Sequence, residues 1–268
     1  ISFNDSPLGD ITIPPGEISS TVFDWFLIAA DADAVPGNIQ CTVTMSAGTD
    51  EYPYQEQETI NLDLTLSQFG FPLDGIVVKS SPIVADLNSD GAKEIYFGSD
   101  NEALHGYNSF GEEIDGFPFQ STDRVRSSPA IGDVDNDGQM ELVFGNSAGK
   151  LYIVNHDGSQ QLAYSILGFI EGSPALVDID GDQDLEIFFT TTTTSGGKLY
   201  AIHHNGITMS GFPKELGSMW VGPAVHDIDN DGAYDIVCAT YDKEVYAINI
   251  DGGAIKSGFP VITEGRLD

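Results

Sequence analysis

Four acidic segments in the sequence carry oxygen-bearing side chains on alternate residues. They are 86–94, 133–141, 178–186 and 227–235, and their first residues stand 47, 45 and 49 positions apart. Oxygen ligands at positions 1, 3 and 5 can converge on one hard cation when the chain curls around it, and a Gly at position 6 permits that turn. Each segment also has an acid at position 9. The pattern predicts four calcium-binding loops, at a spacing typical of repeat architectures.

Each loop is predicted to bind one Ca²⁺ ion through the side chains at positions 1, 3, 5 and 9 and the backbone carbonyl at position 7. The predicted ligands are Asp86, Asn88, Asp90, Ala92 and Glu94; Asp133, Asp135, Asp137, Gln139 and Glu141; Asp178, Asp180, Asp182, Asp184 and Glu186; and Asp227, Asp229, Asp231, Ala233 and Asp235. The third loop is irregular, because Gln183 replaces the Gly and Asp184 adds a carboxylate. The alternative is that these segments are solvated acidic turns; four copies at one period favour calcium.

The composition limits the partners of the chain. Lys and Arg total 10 against 42 Asp and Glu, giving a formal charge of −32, so neither nucleic acid nor an anionic membrane surface is an expected partner. No run of 18 apolar residues predicts a membrane span. Cys41 and Cys238 are the only cysteines, so no disulfide framework is expected. Calcium sites of this kind suit an environment with millimolar calcium, which favours an extracellular, secreted or cell-surface location.

A regular series of short β-patterned runs surrounds each acidic loop. A Ser-Pro or Gly-Pro pair opens the repeat, a short apolar run leads into the loop, and two more runs follow it. A fourth segment contains Gly-Phe-Pro at residues 116, 211 and 258, with an earlier copy at residue 70. Four short strands in about 46 residues is the content of one β-propeller blade.

This combination resembles the FG-GAP family, the calcium-binding repeats of integrin α-chain propellers and of secreted bacterial proteins of the VCBS type. The resemblance covers about residues 68–268 and implies an all-β fold, a propeller of four-stranded blades. The expected blades are about 82–128, 129–173, 174–222 and 223–268. The last repeat stops where a fifth would begin, so we expect these four to be part of a larger propeller. Residues 1–66 lack the repeat and resemble an Ig-like domain, so the chain is divided into a partial β-sandwich over 1–66 and a propeller over 67–268.

A second set of candidate residues stands three positions before the Pro that opens each repeat. By the family geometry these residues surround the central opening, opposite the calcium loops, where they could bind a ligand; the alternative is that they are ordinary turn residues. They are Lys79, Arg126, Glu171 and Trp220. The segment 190–197 is expected on the same face, as a contact loop, an O-glycosylation target or a tolerated insertion.

The leading functional hypothesis is a non-catalytic extracellular module for adhesion, protein or carbohydrate binding, or surface assembly, with calcium in a structural role. No catalytic residue is predicted. Its partners would be a protein, a glycan or other copies of itself. Two alternatives stay open: a calcium-dependent polysaccharide lyase or accessory region of a secreted hydrolase, and a self-assembling structural or filament subunit.

Overall fold

The structure is a computed structural model that describes residues 71–264 and, before them, the backbone of four strands. These strands are β1 (Ser2–Phe3), β2 (Ile28–Ala29), β3 (Gly37–Thr49) and β4 (Tyr52–Leu64). The β1 strand pairs with β2, and β3 pairs with β4 along its whole length, both in antiparallel register. The chain separates into two compact units, Ile1–Gln68 and Phe69–Asp268. Most of the segment predicted to be Ig-like lies outside the described residues, so that assignment stays a prediction.

Four antiparallel sheets of four strands each make up the second unit, and each sheet is a blade with its strands in sequence order. The strands are β5 (Ile83–Ala85), β6 (Glu94–Gly98), β7 (Ala103–Tyr107) and β8 (Phe119–Gln120); β9 (Ala130–Gly132), β10 (Glu141–Gly145), β11 (Lys150–Asn155) and β12 (Gln160–Ser165); β13 (Ala175–Val177), β14 (Glu186–Thr190), β15 (Gly197–Ile202) and β16 (Lys214–Leu216); and β17 (Ala224–His226), β18 (Asp235–Ala239), β19 (Glu244–Asn249) and β20 (Val261–Ile262). The predicted all-β propeller fold is confirmed.

The hydrophobic core lies between successive blades, because side chains alternate between the two faces of each strand. In β10, Leu142 and Phe144 pack in the cluster shared with the first blade, whereas Val143 packs in the cluster shared with the third. The third blade repeats this division, with Phe189 in the cluster shared with the second blade and Phe188 in the cluster shared with the fourth. Burying each such side chain contributes roughly 1.5–3 kcal/mol to the free energy of unfolding. Both faces of the two middle blades are therefore covered by apolar neighbours.

Glycine is required in the Gly-Phe-Pro segments, where neighbouring blades approach each other closely. Gly116 and Gly211 both have φ of 86°, a left-handed conformation that favours glycine. A Cβ atom at Gly116 would overlap the carbonyl of Asp157 in the next blade, and one at Gly211 would overlap the backbone of Gly252. These glycines thus allow the last hairpin of one blade to pack against that of the next.

The threonine-rich segment that starts in β14 is part of the packed interior at its N-terminal end. Thr190 and Thr191 are fully buried and Thr192 nearly so. The Thr190 and Thr192 hydroxyls donate hydrogen bonds to the carbonyls of Val221 and Met219, each at 2.7 Å. These three threonines are therefore not accessible as glycosylation targets, and they instead tie the third blade to the entry of the fourth.

Candidate metal sites

The acidic loops join the first and second strands of each blade, and three of them share one hydrogen-bond pattern. In the first loop the Asp86 carboxylate accepts the backbone N–H groups of Asp90 and Gly91, both at 3.0 Å. In the second and fourth loops the Asp133 and Asp227 carboxylates accept the same two hydrogen bonds, from the N–H groups of positions 5 and 6. In all four loops positions 4 and 6 have positive φ angles. The backbone therefore curls around its own position-1 carboxylate, as a chain that surrounds a cation must.

The third loop keeps the curl but changes the residues that form it. Gly181 at position 4 and Gln183 at position 6 have φ of 83° and 81°. The Asp178 carboxylate accepts the N–H groups of these same two residues, at 2.7 and 3.2 Å. The third loop is thus irregular in one hydrogen bond, because the N–H of position 4 replaces that of position 5 as a donor to the position-1 carboxylate. Glycine stands at position 4 in this loop and not at position 6.

The acid at position 9 connects the end of each loop to its beginning through a hydrogen bond. All four of these side chains are buried, with exposed fractions of 3% or less, and each begins the second strand of its blade: Glu94, Glu141, Glu186 and Asp235. Each carboxylate accepts the N–H of the residue at position 2, at distances of 2.9 Å for Val134, 3.1 Å for Ile179, 3.3 Å for Ile228 and 3.4 Å for Leu87. The same bond holds both ends of every loop together.

Three of the loops bring at least three carboxylates into metal-binding range, with ligand oxygens within 4.8 Å of one another. The groups are Asp133, Asp135 and Glu141; Asp178, Asp180 and Glu186; and Asp227, Asp229 and Asp231. In the first loop Asn88 supplies an amide oxygen at position 3 instead of a third aspartate. Carboxylate and amide oxygens are the ligands that calcium prefers. The donors in these loops therefore suit a hard divalent cation, and the role of the position-7 carbonyls stays a prediction.

Burial makes the position-9 acids of the first three loops costly to ionise in the absence of a cation. It is the largest cause that raises the pKa of Glu94 and Glu186 above the usual range, and it raises the pKa of Glu141 to about 7. Aspartates of the same loop add to the effect, since their charges oppose another negative charge nearby. A bound divalent cation would offset both contributions and keep these acids ionised.

The raised pKa of Glu141 predicts how the stability of the metal-free protein changes with pH. The folded protein holds this proton up to about pH 7, whereas an unfolded chain releases it near the ordinary glutamate pKa of 4.5. The folded state therefore binds more protons between these values, and its stability falls as pH rises through this window. With millimolar calcium the trend should weaken or reverse, because protons then compete with the cation. Melting temperatures at several pH values with and without calcium measure this, and identical pH profiles would contradict it.

Two histidines adjoin the third loop, although the sequence predicts no role for them. His203 Nδ1 lies 3.0 Å from Glu186 Oε1, and His204 Nδ1 lies 2.9 Å from Asp184 Oδ2. Asp184, Glu186 and His203 also form a group with ligand atoms within 4.8 Å of one another. The third loop thus shares its position-9 acid with an imidazole, a contact that only the pairing of β14 with β15 creates.

A buried relay in the first blade contains a serine, a histidine and a carboxylate. Ser99 Oγ lies 3.1 Å from His105 Nε2, and His105 Nδ1 lies 3.2 Å from Glu113 Oε1. This order matches the nucleophile, base and orienting acid of acyl-transfer enzymes. Ser99 is fully buried, however, and the rings of Phe97 and Tyr107 stack against His105. Since no substrate can reach the hydroxyl in this arrangement, the relay satisfies buried polar groups inside the blade.

The residues predicted to surround the central opening line one cavity of about 520 Å³: Lys79, Arg126, Glu171 and Trp220. Each precedes the first strand of its blade while the acidic loop follows that strand, so cavity and loops lie at opposite ends of the blades. The Arg126 guanidinium forms a bidentate ion pair with Asp100, at 2.7 and 3.1 Å, which holds the pKa of Asp100 below its usual range. The Glu171 carboxylate accepts a hydrogen bond from Ser147 Oγ at 3.2 Å.

Trp220 also lines a second cavity, of about 610 Å³, between the β14–β15 connection and the entry to the fourth blade. The other lining residues are Thr192, Thr193, Ser218, Val221 and Tyr241. Trp220 is 45% exposed and Tyr241 is 37% exposed, so two aromatic rings lie on one surface, beside the partly buried Thr193 and Ser218. The sequence pattern indicates Trp220 but not its neighbours, because the threonines lie between β14 and β15 and Tyr241 lies in a following turn.

Residues 133–189 match the family model described as FG-GAP-like repeat. This part of the chain is therefore similar to an FG-GAP-like repeat. The matched span begins at the first aspartate of the second loop and ends within β14, so it contains the second and third acidic loops. No curated protein matches the chain in sequence.

Solved structures with a similar arrangement of strands are only distantly related in sequence. BBS1N, solved in complex with ARL6DN, is 14% identical with a TM-score of 0.52, and the match covers 71% of this chain and 57% of that one. The V. cholerae biofilm matrix protein Bap1 is 17% identical, with coverages of 70% and 40% and a TM-score of 0.41. The Pseudomonas aeruginosa PilY1 C-terminal domain is 16% identical, with coverages of 60% and 39% and a TM-score of 0.48. The chain spans less than two thirds of each, and the BBS1N likeness supports the fold alone.

Among the residues that the structure describes, no helix has the length and apolar character needed to cross a membrane.

Proposed function

We propose that this chain is an extracellular, calcium-stabilised β-propeller module that binds a protein or glycan partner without catalysing a reaction. The observation that carries the proposal is the separation of two features along every blade. Acidic loops of one geometry stand at one end, and the residues before each first strand meet around a cavity at the other. The first end has the donors for structural cations, and the second offers a surface whose residues differ from blade to blade.

Calcium is proposed as the cation because the loop donors are hard oxygen groups on a curled backbone. Each loop concentrates three or four carboxyl or amide oxygens, and burial makes the position-9 acids of the first three loops costly to ionise alone. Binding a divalent ion in the folded state only would transfer its binding free energy to folding. Millimolar extracellular calcium is sufficient for sites of modest affinity. We therefore place the protein outside the cell, as a module of an FG-GAP protein of the VCBS type.

The first unit is proposed to be an Ig-like β-sandwich fragment over residues 1–66, attached to a propeller over residues 67–268. The long antiparallel β3–β4 pair, with 13 residues in each strand, supports its β character. An adhesion or surface-assembly protein built from such modules would use the propeller as its recognition element.

Trp220 is the proposed centre of the binding face, because its half-exposed ring forms part of both cavities. An indole face can stack on a sugar ring or an aromatic side chain, and the nearby hydroxyl groups can hydrogen-bond polar substituents. The Arg126–Asp100 pair is already formed, so it gives the wall of the cavity a fixed shape. The exposed Lys79 and the partly buried Glu171 add one charge of each sign.

We expect the Trp220→Ala variant to lose binding to a glycan or peptide that the wild-type protein selects from an array. The expected loss is about 30-fold or more in Kd, the scale of an aromatic hot spot. Phe110→Ala is the matched control, because Phe110 is a 60% exposed aromatic residue in the β7–β8 turn, at the end of the blade that carries the acidic loops. Fluorescence titration of the selected compound gives the Kd values. Equal affinities of wild type and Trp220→Ala would place the binding face elsewhere.

A further inference from the structure

The fourth acidic loop differs from the other three because a lysine side chain reaches into it. Lys256 Nζ lies 2.6 Å from both carboxylate oxygens of Asp235 and 2.6 Å from Asp229 Oδ2. It lies 4.0 Å from Asp231 Oδ2, and its side chain is only 12% exposed. The ammonium group therefore stands among the oxygens of positions 3, 5 and 9, where a bound cation would have to stand.

The position of Lys256 in its blade explains how it reaches the loop. It lies three residues after Gly253, in the hairpin that joins β19 to β20, and its backbone N–H donates to the Ala247 carbonyl at 2.9 Å. The residues at the same place in the other blades are Ile114, Gln161 and Met209. The equivalent backbone bonds from Ile114 to Gly106 and from Met209 to Ala201 measure 3.0 and 2.9 Å. This position therefore faces the same region in every blade, and only its side chain varies.

The side chains at this position make different interactions in the four blades. Ile114 and Met209 pack against apolar core clusters. Gln161 Nε2 donates a neutral hydrogen bond to Asp135 Oδ2 at 2.8 Å. Among the described residues, no Lys, Arg or His lies within ion-pair distance of Glu94 or Glu141, the position-9 acids of the first two loops. The position-9 acid of the third loop, Glu186, contacts His203. In the part of the chain that the structure describes, the fourth loop is the one with a lysine ammonium bonded to its acids.

We propose that Lys256 is the resident cation of the fourth loop, so that this loop is held without calcium. An ammonium group is a compact positive charge with three donors, and Lys256 has carboxylate acceptors on Asp229 and Asp235. Calcium would need the same oxygens and would meet a positive charge already in place. The inference rests on the proposed calcium function for the other loops, and it leaves three calcium ions per chain.

The number of bound calcium ions in a lysine variant tests this inference. Lys256→Met introduces the residue type that the third blade has at this position, and should bind one calcium ion more per chain than the wild type. Lys198→Met is the matched control, since Lys198 forms a more exposed ion pair with Glu215 at 3.0 Å. Equilibrium dialysis followed by elemental analysis counts the ions. Equal numbers for wild type and Lys256→Met would overturn the proposal.

Thermal melts of the metal-free proteins separate this inference from the calcium function itself. Without metal, Lys256→Met should melt several degrees below both wild type and Lys198→Met, and millimolar calcium should remove the difference. If no variant binds calcium, the proposed calcium function fails, and the metal-free melts decide the role of Lys256. A lower melting temperature for Lys256→Met then supports the tethered cation, and a value equal to that of Lys198→Met overturns it. Lys256→Gln, with the residue type of the second blade, gives the same readouts if the Met variant does not fold.

Discussion

Removing calcium with excess EDTA is expected to lower the melting temperature of this protein by about 15 °C or more. A ligand that binds only the folded state stabilises it by about 2.7 kcal/mol per site when its concentration is a hundred times its Kd. One kcal/mol shifts the melting temperature of a protein of this size by about 2–4 °C. Three loops that lose their cations therefore account for a shift of this scale. Differential scanning calorimetry with calcium and with EDTA measures it.

Two controls show whether the shift belongs to the loops. Adding excess calcium after EDTA should restore the original melting temperature. Magnesium should restore less of it, because that smaller ion requires near-ideal octahedral geometry and keeps several of its waters. A melting temperature that is the same in calcium and in EDTA would contradict the structural role of the cation.

Replacing Glu141 with Gln is expected to change stability in opposite directions with and without calcium. The side chain is 2% exposed, and burial raises its pKa to about 7. Glutamine has nearly the same shape, and its amide oxygen can still accept the N–H of Val134. In the metal-free protein the substitution removes a buried carboxylate that is repelled by its loop, so the melting temperature at neutral pH should rise by a few degrees. With calcium it removes a charged ligand, so the melting temperature should fall by at least as much.

The matched control for this prediction is Glu112→Gln, which neutralises an exposed acid of the β7–β8 turn. This variant should change the melting temperature little in either condition. Glu141→Gln should also reduce the pH dependence of the metal-free protein between about pH 4.5 and pH 7, since one of the buried titrating groups is gone. A change of the same sign with and without calcium would show that Glu141 acts only through packing.

The repeat made the fold and the loop geometry predictable from sequence. Alternating side chains place Leu142 and Val143 on opposite faces of β10, and the spacing of nine residues brings each closing acid back to its loop. These relations depend on neighbours within a few residues, where strand periodicity and turn chemistry determine geometry. The third loop also depends on such local turn chemistry. Glycine stands at residue 181, and Gln183 adopts the left-handed conformation.

Contacts between distant segments could not be read from the sequence. Lys256 meets Asp229 only because the last hairpin of the fourth blade folds back over the acidic loop of the same blade. The pairing of Arg126 with Asp100 likewise depends on a turn of the preceding blade. Aligning the repeats places Lys256 where Ile114, Gln161 and Met209 stand, and a lysine at an otherwise uncharged position indicates a partner of opposite charge.

The central claim is that the acidic loops of the first three blades hold calcium, and crystallographic detection of the ions tests it most directly. Crystals of the protein grown in millimolar calcium should show anomalous difference density in these three loops. Each peak should lie about 2.3–2.6 Å from the oxygens of positions 1, 3, 5, 7 and 9. The fourth loop should show no peak, with Lys256 Nζ among its carboxylates. Absence of density from the first three loops in the presence of calcium would contradict the account.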